Sequence, residues 1–189
     1  MTASDIYQQC LDKQRIIFVG EGSGLIIRMV QYVLKFHQRK FDLSLPGQSP
    51  VLQADSPLII IEAIDQLLDY KHHIVVFSDV GSSDDLKLFE QLANATPKGG
   101  TLLYPDLNAA LKSMGSQERT DVQSIPYTRY KHELKDGKVI LVSSTGERFP
   151  LNFGGDKNLE YVGAAKELVK KIGISSGQFY KAISTYLPA

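Results

Sequence analysis

Arg15-Ile-Ile-Phe-Val-Gly-Glu-Gly-Ser-Gly-Leu25 is a short, mostly apolar segment that breaks at three alternating glycines. The run that follows, residues 26–37, spaces its apolar residues as an amphipathic helix does. The pattern therefore predicts a strand, a tight glycine turn and a helix. Because glycine has no side chain and adopts unusual backbone angles, such a turn can bring backbone N–H groups and a helix N-terminus close to a ligand, usually a phosphate.

The glycines at positions 20, 22 and 24 fit no nucleotide-binding fingerprint completely. The phosphate loop of ATPases needs a lysine and a hydroxyl residue after its last glycine, and Leu25 and Ile26 stand there instead. The dinucleotide pattern GxGxxG fits Gly20 and Gly22 but has Leu25 in the third glycine position. A tight turn without a ligand therefore stays open beside anion binding.

Composition indicates an ordinary globular protein. The 189 residues are 43% apolar, which is enough for one well-buried core, and we expect a single domain over residues 1–189. Twenty-one basic residues balance twenty-one acidic ones, so no net charge attracts nucleic acid or an anionic membrane. The single cysteine, Cys10, excludes an internal disulfide. Neither a secretion signal nor an apolar run of membrane-spanning length is evident, and we expect a soluble, cytoplasmic protein.

Apolar segments alternate with helical patterns through the first two thirds of the chain. Strands are predicted at residues 16–19, 58–62, 73–77 and 101–104, and helices at 4–13, 26–37, 63–70, 84–95 and 106–114. Ser4 or Asp5 is the expected cap of the first helix, and residues 41–57 are expected to form a loop or a short edge strand. The alternation predicts a three-layer α/β fold with a mostly parallel sheet of P-loop or Rossmann-like topology, with ligands at the carboxyl ends of the strands.

The pattern changes in the last third. Residues 127–153 are expected to form antiparallel strands joined by turns at 135–137 and 144–146. Two closing helices are predicted at 159–172 and 175–187, the second with a Ser175 cap and Gln178 at its third position.

Five segments of this last third carry a family resemblance. They are Ile125-Pro-Tyr, Asp136-Gly-Lys, Glu147-Arg-Phe-Pro-Leu, Asn158-Leu-Glu-Tyr-Val-Gly-Ala-Ala-Lys166 and Ile172-Gly-Ile-Ser-Ser-Gly-Gln-Phe-Tyr-Lys-Ala-Ile183. Together they resemble the end of the central ATPase domain of Mur ligases, most of all the muropeptide ligases of peptidoglycan recycling, which join a tripeptide to UDP-N-acetylmuramate. Mur ligases also have a domain for the UDP-sugar and a closing C-terminal domain. The resemblance covers nearly the whole chain but only the central domain.

The resemblance implies a site for ATP and Mg²⁺, and it also shows which site residues this chain lacks. The family's phosphate loop ends Gly-Lys-Thr and aligns with residues 22–24, so Ser23 replaces the phosphate lysine and Gly24 the magnesium-binding threonine. The family's acidic segment after the second strand resembles residues 62–65, which keep Glu62 and Asp65 as candidate metal ligands. The family's metal-binding histidine has no counterpart in residues 78–84.

The nucleotide-contacting positions are also altered. Pro105 and Asn108 stand in place of the family's asparagine and aspartate, and the turn before the closing helices keeps only Asn158, which the resemblance assigns to adenine. Lys157 could replace the lost lysine in space, although a solvated loop lysine is more common. The candidate cofactor-binding residues are Gly20, Glu21, Gly22, Ser23, Gly24 and Asn158, and no catalytic residue is expected.

These losses favour a protein without ligase activity. Phosphoryl transfer depends on cations that neutralise the phosphates, and single electrostatic contributions of that kind are worth about 3–4 kcal/mol. We therefore expect a degenerate Mur ligase central domain that retains weak nucleotide or anion binding. Its expected partners are a nucleotide or UDP-sugar, a cell-wall ligase chain, or a second copy of itself.

Three alternatives stay open. One is a Rossmann-like enzyme that binds S-adenosylmethionine or a dinucleotide at residues 20–24, with Asp42 as the ribose-binding acid. Another is a non-catalytic interaction scaffold. The third alternative concerns the role of Glu62, which could cap the helix predicted to begin at Ala63 instead of binding a metal.

Overall fold

Six strands form one parallel sheet in the computed structural model, which describes residues 1–188. The strands are β1 (Gln14–Val19), β2 (Asp42–Ser44), β3 (Leu58–Glu62), β4 (Ile74–Phe77), β5 (Thr101–Pro105) and β6 (Gln123–Tyr127). They lie in the order β2-β3-β1-β4-β5-β6, and every neighbouring pair is parallel. The predicted α/β class is confirmed.

Helices cover both faces of this sheet. They are α1 (Ala3–Gln9), α2 (Ser23–Phe36), α3 (Ser83–Asn94), α4 (Ala109–Gly115), α5 (Asp156–Lys171) and α6 (Ser176–Ile183). Ile16 and Phe18 of β1 belong to the core under α2, α5 and α6, whereas Ile17 and Val19 belong to the core under α1, α3 and α4. Because both faces of β1 are buried, its sequence is a continuous apolar run, as in other parallel sheets.

A smaller antiparallel sheet follows β6, as the sequence predicts. It contains β7 (His132–Lys135), β8 (Lys138–Val142) and β9 (Arg148–Pro150) in that order. Asp136 and Gly137 both have positive φ, at 52° and 74°, which is the geometry of a type I′ hairpin turn. Val139 and Leu141 of this sheet pack in the same core as α2 and α5.

The helix predicted at residues 63–70 is wrong. The segment forms bends and turns, with Gln66 in the left-handed region at φ 49° and Ile64 72% exposed. Eight residues are too few to form a helix without strong packing, and only three of them, Ala63, Leu67 and Tyr70, are buried.

Two further expectations need correction. The cap of α1 is Thr2 rather than Ser4 or Asp5: the Thr2 hydroxyl accepts from Asp5 N, and the Asp5 carboxylate accepts from Thr2 N.

Strand β6 is not predicted by the sequence pattern, because its polar residues and Pro126 obscure the alternation of a strand. Proline is tolerated there because β6 is an edge strand.

The strand order determines where a ligand can approach. The chain runs from β1 through β2 to β3 on one side of β1, and then returns to β4 on the other side. The carboxyl ends of β1, β3 and β4 therefore meet at a topological switch point, where ligands of open α/β sheets bind.

Among the described residues, no helix has both the length and the apolar character needed to cross a membrane.

Candidate functional site

Residues 20–24 form the predicted strand-turn-helix connection between β1 and α2. Gly20 and Gly22 have φ of 98° and 83°, and Gly22 is the N-cap of α2. Glu21 N donates to the carbonyl of Asp79 at 3.2 Å, and Ser23 N donates to the carbonyl of Gly20 at 3.3 Å. The turn is therefore tight and is held against the residues that follow β4.

The space that two of these glycines leave is filled by the protein itself. A Cβ atom at Gly20 would lie 2.1 Å from the carbonyl oxygen of Asp79, and one at Gly22 would lie 1.9 Å from the hydroxyl oxygen of Tyr161. The first contact is with backbone and excludes any side chain at position 20, whereas the second would require the Tyr161 side chain to move. Packing against Asp79 therefore accounts for Gly20, and the positive φ together with the Tyr161 contact favours glycine at position 22.

Glu62 reaches the N-terminus of α2 from the end of β3. The Ser23 hydroxyl donates to Glu62 Oε1 at 2.8 Å, and a Cβ atom at Gly24 would lie 3.1 Å from the same oxygen. A carboxylate is favourable there because the helix dipole places partial positive charge at that end. Glu62 does not cap a helix at Ala63, because that helix does not form. A phosphate at the α2 terminus would have to share the position with this carboxylate.

Asp65, the other candidate metal ligand, is exposed and lies on the turn segment that follows β3. It shares with Glu62 the lining of a cavity of about 630 Å³. Within residues 1–188, no group of three or more His, Cys, Asp or Glu side chains is arranged to hold a metal ion.

Lys157 lies in the first turn of α5 and makes two ion pairs close to the glycine turn. Its Nζ is 2.9 Å from Asp79 Oδ2 and 3.0 Å from Glu160 Oε2. It also lies over the ring of Tyr161, the residue that contacts Gly22. Lys157 is thus not a solvated loop lysine, although 46% of its side chain is exposed.

The network around Asp79 joins three elements. Its Oδ1 accepts from the amide of Asn108, the N-cap of α4, and its Oδ2 pairs with Lys157 of α5. Burial acts to raise the pKa of Asp79, but Lys157, the backbone of Val80 and Asn108 together lower it below the usual value. Burial acts to lower the pKa of Lys157, but its hydrogen bonds to the carboxylates of Asp79 and Glu160 outweigh burial, so the pKa is raised overall.

Asn158 and Asp42 each have a polar partner within the protein. The Asn158 amide donates to the carbonyl of Gly154 at 2.8 Å, within its own turn. Asp42 begins β2 at the opposite edge of the sheet from the glycine turn, where it is fully buried and pairs with Lys13 at 2.5 Å. Asp42 therefore cannot be the ribose-binding acid of a ligand at residues 20–24.

Sequence reasoning missed Asp79, Glu160 and Tyr161. Asp79 could have been found, because a polar residue just after a buried parallel strand lies at the ligand-binding edge of a sheet. Glu160 and Tyr161 give no local signal, since only the docking of α5 brings them to the turn.

No protein-family model and no curated protein matches this sequence. Solved structures match its fold. The UDP-N-acetylmuramate:L-alanyl-gamma-D-glutamyl-meso-diaminopimelate ligase from Neisseria meningitides has a TM-score of 0.76 at 13% identity, over 99% of this chain and 70% of that one. A UDP-N-acetylmuramoylalanyl-D-glutamyl-2,6-diaminopimelate--D-alanyl-D-alanyl ligase from Acinetobacter baumannii has the same TM-score and identity, over 99% of this chain and 49% of that one.

A pseudomurein peptide ligase type C from Methanothermus fervidus matches with a TM-score of 0.68 and 10% identity, over 100% of this chain and 52% of that one. The chain therefore spans about half the length of two of these three ligases. At such low identity the likeness concerns the fold alone, and the chain has the α/β fold found in Mur ligases.

Proposed function

We propose that this chain is a degenerate homologue of the Mur ligase central domain that has no ligase activity. It would act as a binding module related to the UDP-N-acetylmuramate–peptide ligases of cell-wall metabolism, with a nucleotide, a UDP-sugar or a cell-wall ligase chain as partner. The observation that carries the proposal is that the ammonium group of Lys157 already forms ion pairs with Asp79 and Glu160.

Charge at the glycine turn argues against ATP-driven chemistry. Where the resemblance expects a phosphate lysine and a magnesium-binding threonine, the chain has Ser23, whose hydroxyl bonds to Glu62, and Gly24. Loss of two electrostatic contributions of about 3–4 kcal/mol each removes efficient phosphoryl transfer, even when the two are not additive. Lys157 cannot replace them without leaving two carboxylates unpaired.

The same charges make any nucleotide binding dependent on a divalent cation. Glu62 stands at the α2 terminus, and Glu21 and Asp85 flank Gly81 beside it. A free triphosphate would be repelled by these carboxylates, whereas a Mg²⁺ ion held by Glu62 would offset part of that repulsion. Glu62 would hold Mg²⁺ and the N–H groups at the α2 terminus would hold phosphate.

The test combines thermal-shift titrations with an ATP hydrolysis assay. We expect ATP to stabilise the protein only with Mg²⁺, Glu62→Gln to abolish that shift, and the exposed control Glu90→Gln on α3 to keep it. A ligand at about 100 times its dissociation constant stabilises by about 2.7 kcal/mol, which such titrations resolve. ATP hydrolysis that Glu62→Gln abolishes would contradict the loss of catalysis. UDP-N-acetylmuramate, S-adenosylmethionine and NAD, titrated in parallel, test the other proposed ligands.

A further inference from the structure

The carboxylate of Asp79 is held by three hydrogen-bond donors beside the glycine turn. Its Oδ2 lies 2.9 Å from Lys157 Nζ, and its Oδ1 accepts from the side-chain amide of Asn108 at 3.0 Å and from Val80 N at 3.1 Å. Both carboxylate oxygens are therefore bound, in an arrangement that would serve equally for the carboxylate or phosphate group of a ligand. Here the bound anion belongs to the protein itself.

Two of these donors are held in place by contacts that do not involve Asp79. The side-chain oxygen of Asn108 caps α4 by accepting from two backbone N–H groups of the first turn, so its amide nitrogen points away from the helix and towards Asp79. Lys157 Nζ is also paired with Glu160, whose side chain is only 8% exposed and needs a cation beside it. Displacement of the Asp79 side chain would therefore leave both donors in position.

The position of this carboxylate favours negative charge. Burial acts to raise the pKa of Asp79, but its three donors outweigh burial and hold the pKa below its usual value. The ionised form is thus stabilised even though the carboxylate of Glu160 shares the same lysine. An anionic group of similar size in the place of the Asp79 side chain would be stabilised by the same three donors.

This position is open to solvent and adjoins the glycine turn. The side chains of Asp79 and Lys157 are 33% and 46% exposed, so solvent reaches both members of the ion pair. The backbone of Asp79 contacts the turn directly, since Glu21 N donates to its carbonyl oxygen. The turn and the three donors therefore lie at the same edge of the sheet, where ligands of this fold class bind.

We propose that Lys157, Asn108 and Val80 N form an anion-binding site that the side chain of Asp79 keeps closed. A phosphate or carboxylate group of a ligand enters this site only when the Asp79 side chain rotates away. A side chain attached beside its own site competes at an effective concentration on the order of mM or higher, so a ligand must gain further contacts, as at the glycine turn, to displace it. This inference deepens the proposed function and rests on it only for the approach of an anionic ligand to this edge.

The experiment is a chemical-shift titration of the whole chain with potassium phosphate near neutral pH, in buffer with EDTA and without nucleotide. Potassium chloride at equal ionic strength is the salt control, and the amide signals of the Asn108 side chain and the Val80 backbone report on the site. We expect Asp79→Ala to bind phosphate at least about tenfold more tightly than the wild type, which corresponds to about 1.4 kcal/mol. The matched control Asp84→Ala removes an exposed carboxylate that also pairs with a lysine, and it should respond as the wild type does.

Addition of Asn108→Asp to Asp79→Ala should abolish the gain, because aspartate keeps the oxygen that caps α4 but replaces the amide donor with a charged oxygen. Asp79→Ser, which keeps a hydrogen-bond acceptor beside Val80 N, gives the same comparison if the alanine variant does not fold.

Three results would overturn the proposal: equal phosphate binding by the wild type and Asp79→Ala, the same gain in Asp84→Ala, or a gain that survives Asn108→Asp. These titrations contain neither magnesium nor nucleotide. Their failure would therefore leave the magnesium-dependent ATP shift, and its loss in Glu62→Gln, as separate tests of the proposed function.

Discussion

The hydroxyl oxygen of Tyr161 stands 1.9 Å from the point where a Cβ atom at Gly22 would lie. Helix α5 therefore contacts the glycine turn directly through Tyr161. The same helix carries Lys157 and Glu160. The glycine pattern that suggests a phosphate site thus has a second cause in packing. The two causes can be separated by substitution.

We predict that Gly22→Ala destabilises the protein by about 2–4 kcal/mol, because it adds a steric clash with Tyr161 to the backbone strain of a positive φ. Gly146→Ala is the matched control: its φ of 84° nearly equals the 83° of Gly22, but nothing lies within 4 Å of its Cβ position. The control should lose only about 1–2 kcal/mol. Urea denaturation measures both.

Adding Tyr161→Ala to Gly22→Ala should recover part of the difference between the two alanine variants, since the clash is then removed. Equal losses in Gly22→Ala and Gly146→Ala would show instead that Tyr161 moves aside freely and that the contact does not constrain the turn.

We predict that Lys157→Met lowers the free energy of unfolding by about 1–2 kcal/mol. The side chain of Glu160 is only 8% exposed, and without Lys157 its charge would be left unpaired in a buried position. Addition of Glu160→Gln should restore part of the loss. Lys87→Met breaks the ion pair of Lys87 with Asp84, whose side chains are 72% and 87% exposed. This change should cost less than about 0.5 kcal/mol in the same denaturation assay.

The effect of Lys157→Met should depend on pH in a defined direction. The pKa of Asp79 is lowered in the folded protein, so its stabilising contribution is present above the unfolded value of 3.8 and is lost as pH falls through the folded value. The pKa of Lys157 is raised above 10.5, so its contribution is lost only as pH rises through that higher value. The difference between wild type and variant should therefore be constant near neutral pH and shrink in acid. A difference that grows in acid would contradict this pairing.

Local sequence patterns predicted most of the sheet and its helices. The apolar run of β3, the glycine turn before α2 and the Ser175–Gln178 capping box all depend on neighbouring residues, and each is present in the structure. The apolar residues of segment 63–70 have helical spacing, which predicts a helix, yet only Ala63, Leu67 and Tyr70 are buried and the segment forms turns.

The candidate site was less predictable because its decisive contacts are long-range. Nothing near position 22 in the sequence indicates Tyr161, and nothing near Lys157 indicates that Asp79 is its partner. Both contacts arise only when α5 docks on the carboxyl edge of the sheet. The local pattern located the turn and the resemblance pointed to Glu62, but the ion pairs of Lys157 with Asp79 and Glu160 required the folded chain.

The buried histidine His72 should make the protein sensitive to mild acid. Burial first, and then the positive charges of His73 and Arg15, lower the pKa of His72 from 6.5 to about 4, and its Nε2 lies 2.8 Å from Thr96 Oγ1. Between these two values the unfolded chain binds a proton that the folded chain does not, so stability must fall as pH decreases. From about pH 7 to about pH 4.5 this group alone should cost about 2–3 kcal/mol.

We therefore predict that His72→Gln is less stable than the wild type at neutral pH but loses about 2–3 kcal/mol less on acidification, because glutamine does not titrate. Urea denaturation at the two pH values gives the comparison. His132→Gln, a change at the one half-buried residue of the otherwise exposed strand β7, should retain the full acid loss of the wild type. If His72→Gln and His132→Gln showed the same dependence on pH, His72 would not be the group responsible, and the lowered pKa of His73 would be the next to test, because burial and Arg15 shift it in the same direction.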